Sequence, residues 1–339
     1  MPTLSEQLLL IPRSLVFWPW GYRAFTAAGY EAHMKDFNKH ALNVDLNGWS
    51  CVVTGANSGL GRQTVLELVK RGAKVHMLCR NAERGELARR DVLEKVGKET
   101  NDGIIDENCV LLHVVDVGNP ADLKQFVDKL HASNETIDVL INNAGILPGE
   151  RIETVHGIEQ TFAINTLGTY YLTVLLVPLL QVSGRGRVVT VSSGGAYMLK
   201  LDTEDVEFKK EKFSGYLAYA NSKRAQIELT EYWATKYGST GVRFYSMHPG
   251  WADTPGVKTS MRSFYERFSQ KFRTPAQGAD TIVWAAISKE AEAIPNGSFL
   301  FDRKPTSPHL RFLGTKSSPQ KLEQLIKYCD ELIAKSSSV

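Results

Sequence analysis

From about Trp49 onward, short apolar runs alternate with longer amphipathic stretches. The short runs are rich in β-branched residues and almost continuously apolar, which is typical of parallel strands that helices cover on both faces. Because such strands join through right-handed helical crossovers, the pattern predicts an α/β fold with a doubly wound parallel sheet of the Rossmann type. The predicted strands are 51–54, 74–78, 110–115, 139–141, 187–191, 242–247 and 298–301. The predicted helices are 61–71, 82–96, 120–130, 157–180, 218–237 and 275–288.

Neither an internal repeat nor a linker rich in proline or serine divides this series of strands and helices. We therefore expect a single domain, residues 45–303, with an extension at each end. The N-terminal extension, residues 1–44, is apolar and aromatic, and the C-terminal tail, residues 304–339, contains one predicted helix at 317–335. The polar stretch 97–108 is expected to form a surface loop before the third strand.

Charge and cysteine content argue against two classes of protein. With 40 basic and 37 acidic residues, the net charge of +3 gives no electrostatic footprint for nucleic acid. The four cysteines, at 51, 79, 109 and 329, have neither a CxxC spacing nor the density of a disulfide scaffold. We expect reduced thiols in a cytoplasmic protein, with Cys51 and Cys79 as buried apolar side chains, and we predict no metal site.

The N-terminal extension contains two apolar runs that prolines interrupt. No continuous apolar span of about 18 residues is present, so a transmembrane helix is not expected. A secretory signal is not expected either, because no basic stretch precedes a continuous apolar core. Phe17, Trp18 and Trp20, beside Arg13 and Arg23, suit a membrane interface. The alternative is that the extension packs on the body of the protein.

A glycine-rich turn, TGANSGLG at 54–61, connects the first predicted strand to the first helix. Glycines permit positive φ and close approach of the backbone to a pyrophosphate, whose charge the helix N-terminus favours. In this position the turn predicts binding of a dinucleotide. The residues assigned to the cofactor here are Gly55, Asn57, Ser58, Gly59, Leu60 and Gly61.

The second strand ends in Cys79-Arg80-Asn81, without the carboxylate that usually holds the ribose 2′-hydroxyl of NAD. The planar guanidinium of Arg80 matches a 2′-phosphate, so NADP(H) is favoured over NAD(H). Asn81 is assigned to the same part of the cofactor site. The alternative is that Arg80 is a solvated side chain at a strand end.

Polar and small residues also follow the third and fourth strands. Asp116 is assigned to the adenine amino group with Val117 beside it, and the alternative is that Asp116 caps the helix that follows Pro120. A structural role is expected for Asn142, which ties down the end of the fourth strand. The residues placed against the adenosine ribose are Asn143, Ala144 and Gly145.

After the fifth strand comes a helix that begins near Tyr219 and contains Lys223 four residues later. Residues four apart share one face of a helix, so both side chains point to the same place. A free tyrosine titrates near pH 10, and a nearby ammonium is expected to lower that pKa and permit proton transfer to or from a substrate oxygen. The pair alone is a weak signal, and its place after the fifth strand gives it weight.

With these motifs in order, the sequence resembles the short-chain dehydrogenase/reductase family over about residues 47–301. The resemblance rests on TGANSGLG, NNAG, FAINTLG, VSS, YANSK and HPGWADT. The N-terminal SLVFWPWGYRAFTAAGYE, the CRN after the second strand and SMHPGWADTPGV resemble one particular member of that family.

The resemblance implies roles for individual residues. Ser193, the second serine of VSS, polarises the substrate oxygen, and Tyr219 is the general acid and base. Lys223 also binds the nicotinamide ribose, while Asn165 holds a water that relays protons to Lys223. The residues implied to frame the nicotinamide are Pro249, Gly250 and Thr254.

These observations predict an NADP(H)-dependent oxidoreductase that acts on a carbonyl or alcohol, with a small apolar molecule as substrate and an unknown oligomeric state. The alternative is a catalytically silent cofactor-binding sensor or scaffold at a membrane surface. The apolar pocket is expected to include Tyr197, Met198, Leu199 and Trp251. The charged stretch 202–212, which departs from many relatives, is expected to edge the substrate entrance.

Overall fold

The computed structural model describes residues 4–99, 106–310 and 313–336, with side chains described from residue 10 onward. The strands are β1 Ser50–Thr54, β2 Lys74–Cys79, β3 Val110–Val114, β4 Val139–Asn142, β5 Arg187–Val191, β6 Arg243–Met247, β7 Phe299–Phe301 and β8 Lys304–Pro305. The helices are α1 Leu4–Ala24, α2 Ala27–His33, α3 Gly59–Val69, α4 Ala82–Gly97, α5 Pro120–Ala132, α6 Gln160–Phe162, α7 Thr169–Val182, α8 Gly215–Tyr237, α9 Pro255–Ser260, α10 Arg262–Phe268, α11 Pro275–Ile287, α12 Lys289–Glu292 and α13 Pro319–Ser336. A π-helical segment, Ala163–Gly168, joins α6 to α7.

The predicted doubly wound α/β fold is confirmed. One eight-stranded sheet has the order β3-β2-β1-β4-β5-β6-β7-β8, in which β1 to β7 are parallel. Each of the seven predicted strands is present within one residue at either end. The order reverses beside β1, because the chain moves outward to β3 and then returns to β4 on the other side. Ligands of open parallel sheets bind at such a switch point, above the carboxyl ends of the strands.

The strands are apolar without alternation because both faces of the sheet are buried. Val53 and Met77 face a core formed with α3, α4 and α11. Their chain neighbours Val52 and Leu78 face a second core formed with α5, α7, α8 and α13. All four side chains are 0% exposed. Successive side chains of a strand point to opposite faces, so a sheet covered on both sides needs apolar residues at every position.

The strand β8 was not predicted from the sequence. It has only two residues, both exposed, and pairs antiparallel to β7 through a tight turn. The turn residues Asp302 and Arg303 have φ of 47° and 60°, a conformation that non-glycine residues adopt only with support. Ion pairs from Arg273 to Asp302 and from Arg303 to Asp280 supply that support. The hairpin carries the sheet past residue 303, where we expected the domain to end.

The helix expected at 157–180 begins later and is not uniform. Gly157 has a φ of +72° in the preceding loop, and the π-helical segment interrupts the α-helical run around Asn165. Such segments occur frequently at functional sites. Residues 160–182 are long and apolar enough to cross a membrane by composition, but 78% of the apolar 18-residue window within them is buried inside the protein. Its apolar character is therefore explained by the second core.

The N-terminal extension packs on the body of the protein. The helix α1 continues through both of its prolines. Arg13 is fully buried and donates hydrogen bonds to the carbonyl oxygens of Met198, Leu313 and Gly314. Phe17 joins a third core that also contains residues of β7 and of the turn after β5. One face of α1 therefore packs on the body of the protein, which is one of the two arrangements that we expected for this extension.

The remaining expected elements lie at the C-terminal end and before β3. The C-terminal helix is α13, which packs against α5, α7 and α8, and Tyr170 donates a hydrogen bond to Asp330 across this contact. Within the expected loop 97–108, residues 100–105 lie outside the described residues. A short 3-10 turn, Glu107–Cys109, leads from there into β3.

Candidate active site

A cavity of about 400 Å³ lies above the carboxyl ends of β1, β4, β5 and β6. Its described lining contains the side chains of Arg80 and Lys223 and no Asp or Glu. A cavity with cationic and no anionic side chains favours a negatively charged ligand such as a dinucleotide. Within the described parts of the chain, no three His, Cys, Asp or Glu side chains group as metal ligands would.

The glycine turn forms one end of the cavity. Gly59 has a φ of +53°, and a Cβ on Gly61 would lie 2.4 Å from the carbonyl oxygen of Gly55. Both positions therefore require glycine. The side chain of Ser58, the N-cap of α3, makes no capping hydrogen bond, so the first N–H groups of this helix face the cavity without a side-chain acceptor. The turn residues that line the cavity are Gly55, Asn57, Ser58, Gly59 and Leu60. This geometry fits a pyrophosphate.

The two residues after β2 differ in where they point. Arg80 is exposed at the cavity wall, and none of the described residues forms an ion pair with it. Asn81 caps α4, because its side-chain oxygen accepts a hydrogen bond from Arg84 N at 2.8 Å. Asn81 does not line the cavity. The structure therefore shows a structural role for Asn81, and its cofactor contact stays a prediction.

Asp116 does not cap the helix that follows it. Asn119 caps α5, while Asp116 Oδ1 accepts a hydrogen bond from Gly118 N at 2.9 Å. Asp122 reaches back to accept a hydrogen bond from Asp116 N at 3.0 Å. The capping alternative was wrong because Asn119 is the residue directly before the helix. Asp116 and Val117 lie outside the cavity lining, so their adenine contact stays a prediction.

The two amides at the carboxyl end of β4 hold this strand in place. Asn142 donates a hydrogen bond to Thr173 Oγ1 at 2.9 Å, the structural role that we expected. Asn143 also has a structural role, because its Nδ2 donates to the carbonyl oxygens of Thr54 at 2.9 Å and Gly55 at 3.2 Å. These bonds lock the end of β4 to the glycine turn. The residues of this stretch that line the cavity are Asn143, Ala144 and Gly145.

Of the two serines after β5, only Ser193 contacts Tyr219. The buried hydroxyl of Ser192 donates to the carbonyl oxygen of Lys223 at 2.7 Å and so fixes α8 to the sheet. The hydroxyl of Ser193 accepts a hydrogen bond from Gly195 N at 3.1 Å and is hydrogen-bonded to the phenol of Tyr219. The hydrogen bond from Gly195 N thus holds the Ser193 hydroxyl oxygen at the cavity wall beside the Tyr219 phenol.

The pKa of Tyr219 is raised rather than lowered, which corrects the expectation from the sequence. Burial raises this pKa, and the hydrogen bond from Ser193 opposes the effect. Lys223 Nζ lies 5.6 Å from the centre of the Tyr219 ring. Burial lowers the pKa of Lys223 to about 7, so the amine is only partly charged at neutral pH. The expected ammonium effect is weak because the same burial that separates the phenol from water also neutralises the lysine.

Lys223 lines the cavity, whereas Asn165 lies beside Gly145 but does not line it, so the water relay assigned to Asn165 stays a prediction. Lys223 Nζ donates to the carbonyl oxygen of Val191 at 2.8 Å and to Gln226 Oε1 at 3.1 Å. The side chain of Asn165 exchanges two hydrogen bonds of 2.9 Å with the backbone of Ile146. Gln226 was missed by the sequence reasoning. Its position seven residues after Tyr219, on the same helix face, is the signal that could have found it.

The residues implied to frame the nicotinamide all line the cavity. Gly250 has a φ of +73°, and a Cβ there would lie 2.4 Å from Arg273 Nε. Thr254 caps α9 through its side chain and packs over Gly59. The three residues in this lining are Pro249, Gly250 and Thr254. The two ends of the dinucleotide site are therefore in contact through the packing of Thr254 on the glycine turn.

The apolar wall of the cavity comes mainly from segments that the sequence did not indicate. Trp251 lines the cavity as expected. Tyr197, Met198 and Leu199 instead lie buried in the third core and do not line it. The prediction that these three residues line the pocket was wrong, because the turn after Ser193 directs their side chains under α1. The apolar residues that do line this part are Phe17, Trp18, Ile146, Leu147, Tyr216, Trp251, Val257, Met261 and Phe264.

The charged stretch 202–212 does not edge the cavity. Glu207 accepts a hydrogen bond from Glu159 N at 3.0 Å and another from the hydroxyl of Tyr328. Lys321 forms an ion pair with Glu204. The stretch therefore joins α8 to the C-terminal helix, and the expectation of a substrate entrance there was wrong.

All four cysteines are free thiols, and three of them are buried. Burial raises the pKa of the Cys79 thiol to about 11. A thiol with this pKa is almost entirely protonated at neutral pH and unreactive. The expected structural role of Cys51 and Cys79 agrees with their burial in the first core.

Comparison with known proteins shows which family this chain resembles over most of its length. The family model of the short chain dehydrogenases matches residues 50–263. Human dehydrogenase/reductase SDR family member 12 is 43% identical over 320 residues, which cover 94% of this chain and 97% of that protein. Human retinol dehydrogenase 11 is 32% identical over 293 residues, covering 86% of this chain and 88% of that protein. The resemblance of the N-terminal stretch to one family member is thereby confirmed.

Two solved structures share the fold. An uncharacterized protein from Mycobacterium paratuberculosis has a TM-score of 0.66 at 27% identity, covering 87% of this chain and 97% of that chain. The 3-ketoacyl-(acyl-carrier-protein) reductase from Brucella melitensis, solved with NADH, has a TM-score of 0.57 at 22% identity and covers 75% of this chain and 96% of that one. At the latter identity the likeness shows the fold alone.

Proposed function

The chain belongs to the short chain dehydrogenase family, and from this membership we propose that it is an NADP(H)-dependent oxidoreductase. The nicotinamide of the bound cofactor supplies or accepts a hydride at a carbonyl or alcohol carbon of an apolar substrate. The observation that carries the proposal is that Ser193, Tyr219 and Lys223 line a cavity whose other end is the glycine turn.

We assign the proton transfer to Tyr219. When a carbonyl is reduced, its phenol donates a proton to the substrate oxygen, and when an alcohol is oxidised the phenolate accepts one. Ser193, oriented by Gly195 N, donates a hydrogen bond to the same substrate oxygen. Because burial raises the pKa of Tyr219 above its usual value, the phenol carries the proton in the free protein at neutral pH.

Lys223 has two assigned tasks. Its Nζ faces the cavity beside Gly145, where a Cβ would lie 3.1 Å from it, and we place the nicotinamide ribose at this amine. Its pKa of about 7 lets it exchange protons with Tyr219 and solvent at neutral pH. A carrier with a pKa near the working pH returns a proton to the phenol after each turnover.

The preference for NADP(H) rests on Arg80. Its exposed guanidinium lies at the wall of the cavity, where no described carboxylate competes for it. A guanidinium binds a phosphate with paired hydrogen bonds, and a cavity without carboxylates offers nothing to hold a free ribose 2′-hydroxyl as NAD-specific sites do.

The preference for an apolar substrate rests on the aromatic wall of the cavity. The Trp18 ring packs at a tilt against the rings of Trp251 and Phe264, with ring centres 6.1 Å apart in each pair. These rings offer no hydrogen-bond partners, so a polar substrate that bound against them would have unpaired polar groups. Similar proteins named retinol dehydrogenases, which bear the name of an apolar alcohol, support this substrate class.

We further propose that α1 attaches the protein peripherally to a membrane. Ile11, Leu15, Trp18 and Tyr22 are exposed by 65%, 71%, 42% and 47%. Their spacing of four, three and four residues places them on one face of α1. The opposite face is held on the protein by buried Arg13, so α1 lies on the surface rather than across a bilayer.

Cationic side chains border this apolar stripe of α1. Lys271 Nζ lies 5.3 Å from the ring centre of Tyr22, and the Arg267 guanidinium lies 5.3 Å from that of Phe268. The Phe268 ring in turn packs against Tyr22, with centres 6.2 Å apart. Aromatic and aliphatic side chains with a cationic border suit an anionic lipid surface.

Vesicle co-sedimentation tests the attachment. We expect the full chain to sediment with phosphatidylcholine vesicles that contain phosphatidylserine. Leu15→Glu should abolish this binding, because it places a charge in the centre of the stripe. Leu87→Glu is the matched control, since Leu87 is 61% exposed on α4 and should bind as the unchanged chain does. Equal sedimentation of the two variants would contradict the proposal.

Tyr219→Phe tests the chemistry. We expect kcat to fall by about 10² to 10⁴ because the ring remains and the transferable proton is lost. NADPH binding, followed by fluorescence titration, should change little. Turnover is measured with a panel of aldehydes, ketones and apolar alcohols with each cofactor. Tyr171→Phe, on α7 away from the cavity, is the matched control and should retain full activity.

The same experiment separates the alternative of a catalytically silent sensor. A sensor binds NADPH but turns over no member of the panel, and Tyr219→Phe then changes nothing measurable. The grouping of Ser193, Tyr219 and Lys223 at one cavity favours the enzyme.

A further inference from the structure

Gln226 extends the face of α8 that carries the catalytic pair. Tyr219, Lys223 and Gln226 are spaced by four and three residues, so they lie in one row along the helix. Gln226 is 0% exposed and lies at the inner end of this row. A buried glutamine needs partners for both ends of its amide, and here both partners belong to the site.

The two ends of the Gln226 amide connect Lys223 to Asn165. Gln226 Oε1 accepts a hydrogen bond from Lys223 Nζ at 3.1 Å, and Gln226 Nε2 donates one to the carbonyl oxygen of Asn165 at 2.7 Å. The carbonyl oxygen of Asn165 only accepts, so Gln226 Nε2 must point to it and Oε1 must point to the Lys223 amine. A flipped amide would lose both bonds.

The side chain of Asn165 does not reach Lys223. Its oxygen accepts from Ile146 N, and its Nδ2 donates to the carbonyl oxygen of Ile146 and to Ser222 Oγ at 3.0 Å. The connection between Asn165 and the amine therefore runs through the backbone oxygen of Asn165, which the π-helical segment presents toward α8. Gln226 is the residue that completes it.

The environment of Lys223 explains why an amide is suited to this position. The amine meets the carbonyl oxygen of Val191 from β5 and the amide oxygen of Gln226 from its own helix, and both acceptors are neutral. The titratable side chains that line the described cavity besides Lys223 are Arg80, Tyr216 and Tyr219. A neutral acceptor can hold the ammonium without cancelling its charge, whereas a carboxylate would cancel that charge next to the phenol.

We propose that Gln226 is a positioning residue that holds the Lys223 amine between the carbonyl oxygens of Val191 and its own amide and couples it to the backbone of Asn165. The inference rests on the proposed function for its catalytic consequence, but the contact itself is a property of the free protein. An apolar side chain of the same length leaves the amine with a single acceptor. A carboxylate of the same shape adds an opposite charge.

The direct test is the titration of Lys223 in the free protein, followed by NMR of lysine labelled with ¹³C at Cε. The Lys223 signal is assigned by its loss in Lys223→Met. In Gln226→Met the pKa of Lys223 should fall by about 0.7 unit, because a neutral hydrogen bond to the charged form contributes about 1 kcal/mol. In Gln226→Glu it should rise by about 1 unit or more, because an opposite charge lies within hydrogen-bond distance. A role limited to packing would give no opposed shifts, and an unchanged pKa in both variants overturns the proposal.

The second readout is the pH profile of turnover. The apparent pKa of the limb assigned to Lys223 should be lower in Gln226→Met and higher in Gln226→Glu than in the unchanged chain. If no substrate is turned over by the unchanged chain, the proposed function fails while the NMR titration still decides the role of Gln226. Thr230→Val is the control, since Thr230 is buried one turn further along α8 and donates only to the carbonyl oxygen of Gln226. It should shift neither the NMR titration nor the pH profile. Should Gln226→Glu not fold by circular dichroism, Gln226→Met alone decides.

Discussion

Replacement of Arg80 by alanine should convert the protein from one that prefers NADP(H) into one that binds both cofactors about equally. Arg80 lies directly after β2, at the wall of the cavity, with no ion-pair partner among the described residues. Its free guanidinium would donate paired hydrogen bonds to the 2′-phosphate, which NADH does not have. The substitution should therefore weaken the binding of one cofactor and not of the other.

The size of the effect follows from the exposure of Arg80. Hydrogen bonds to charged groups contribute about 1.5 to 3 kcal/mol. Because this side chain is exposed at the cavity wall, water and salt weaken the interaction and the lower end applies. We expect a loss of about 1.4 kcal/mol, which is about a tenfold increase in the Kd of NADPH. The Kd of NADH should change by less than about twofold.

Fluorescence titration of both reduced cofactors at low and high salt measures this difference. In the unchanged protein the preference for NADPH should decrease as salt is added, because the contact lies near solvent. Arg90→Ala is the matched control, since Arg90 is exposed on α4, pairs with Glu86 and does not line the cavity. An equal loss for NADPH and NADH, or no loss for either, would refute the role of Arg80 in cofactor choice.

Three other substitutions test separate parts of the structure. Lys223→Ala should lower kcat by about 10² or more and also raise the Kd of NADPH about tenfold, because one amine is assigned both tasks; stopped-flow kinetics and titration separate the two effects. Gly61→Ala places a Cβ 2.4 Å from a carbonyl oxygen of its own turn, so thermal melting should show a loss of about 1 to 3 kcal/mol and NADPH affinity should fall. Burial raises the pKa of Glu228 to about 7 from 4.5, so the folded protein holds a proton that the unfolded chain releases, and stability falls as pH rises through this interval. Glu228→Gln should flatten that fall by up to about 3 kcal/mol in melts across pH, and an unchanged pH dependence would contradict the assignment.

The parts of the fold that were predicted correctly depend on residues close together in the sequence. The seven strands are marked by continuous apolar runs, because each strand is covered on both faces by the two cores. The strand β8 left no such mark, since a two-residue exposed strand needs no apolar side chains. The shape of the glycine turn was predictable for a similar reason. Positive φ at Gly59 is a local property that a residue type reveals.

The parts that were wrong or missed depend on contacts between segments far apart in the chain. Tyr197 is close to Ser193 in sequence, yet it packs against Trp20 of α1 with ring centres 5.0 Å apart and is lost to the cavity. Trp18, which lies 179 positions before Tyr197 in the sequence, lines the cavity in its place. The pKa of Tyr219 could not be predicted because burial depends on the whole surrounding structure.

The sequence by itself determined the order of strands and helices, the glycine turn and the common helix face of Tyr219 and Lys223, because periodicity and residue type act over a few residues. Only the tertiary structure decided which side chains line the same cavity, which hydrogen bonds they make and in which direction their pKa values shift. Gln226 becomes part of the site because α8 and the π-helical segment pack together and bring its amide to the carbonyl oxygen of Asn165. Burial and hydrogen-bond partners are set by the meeting of distant segments, and those quantities control pKa and substrate fit.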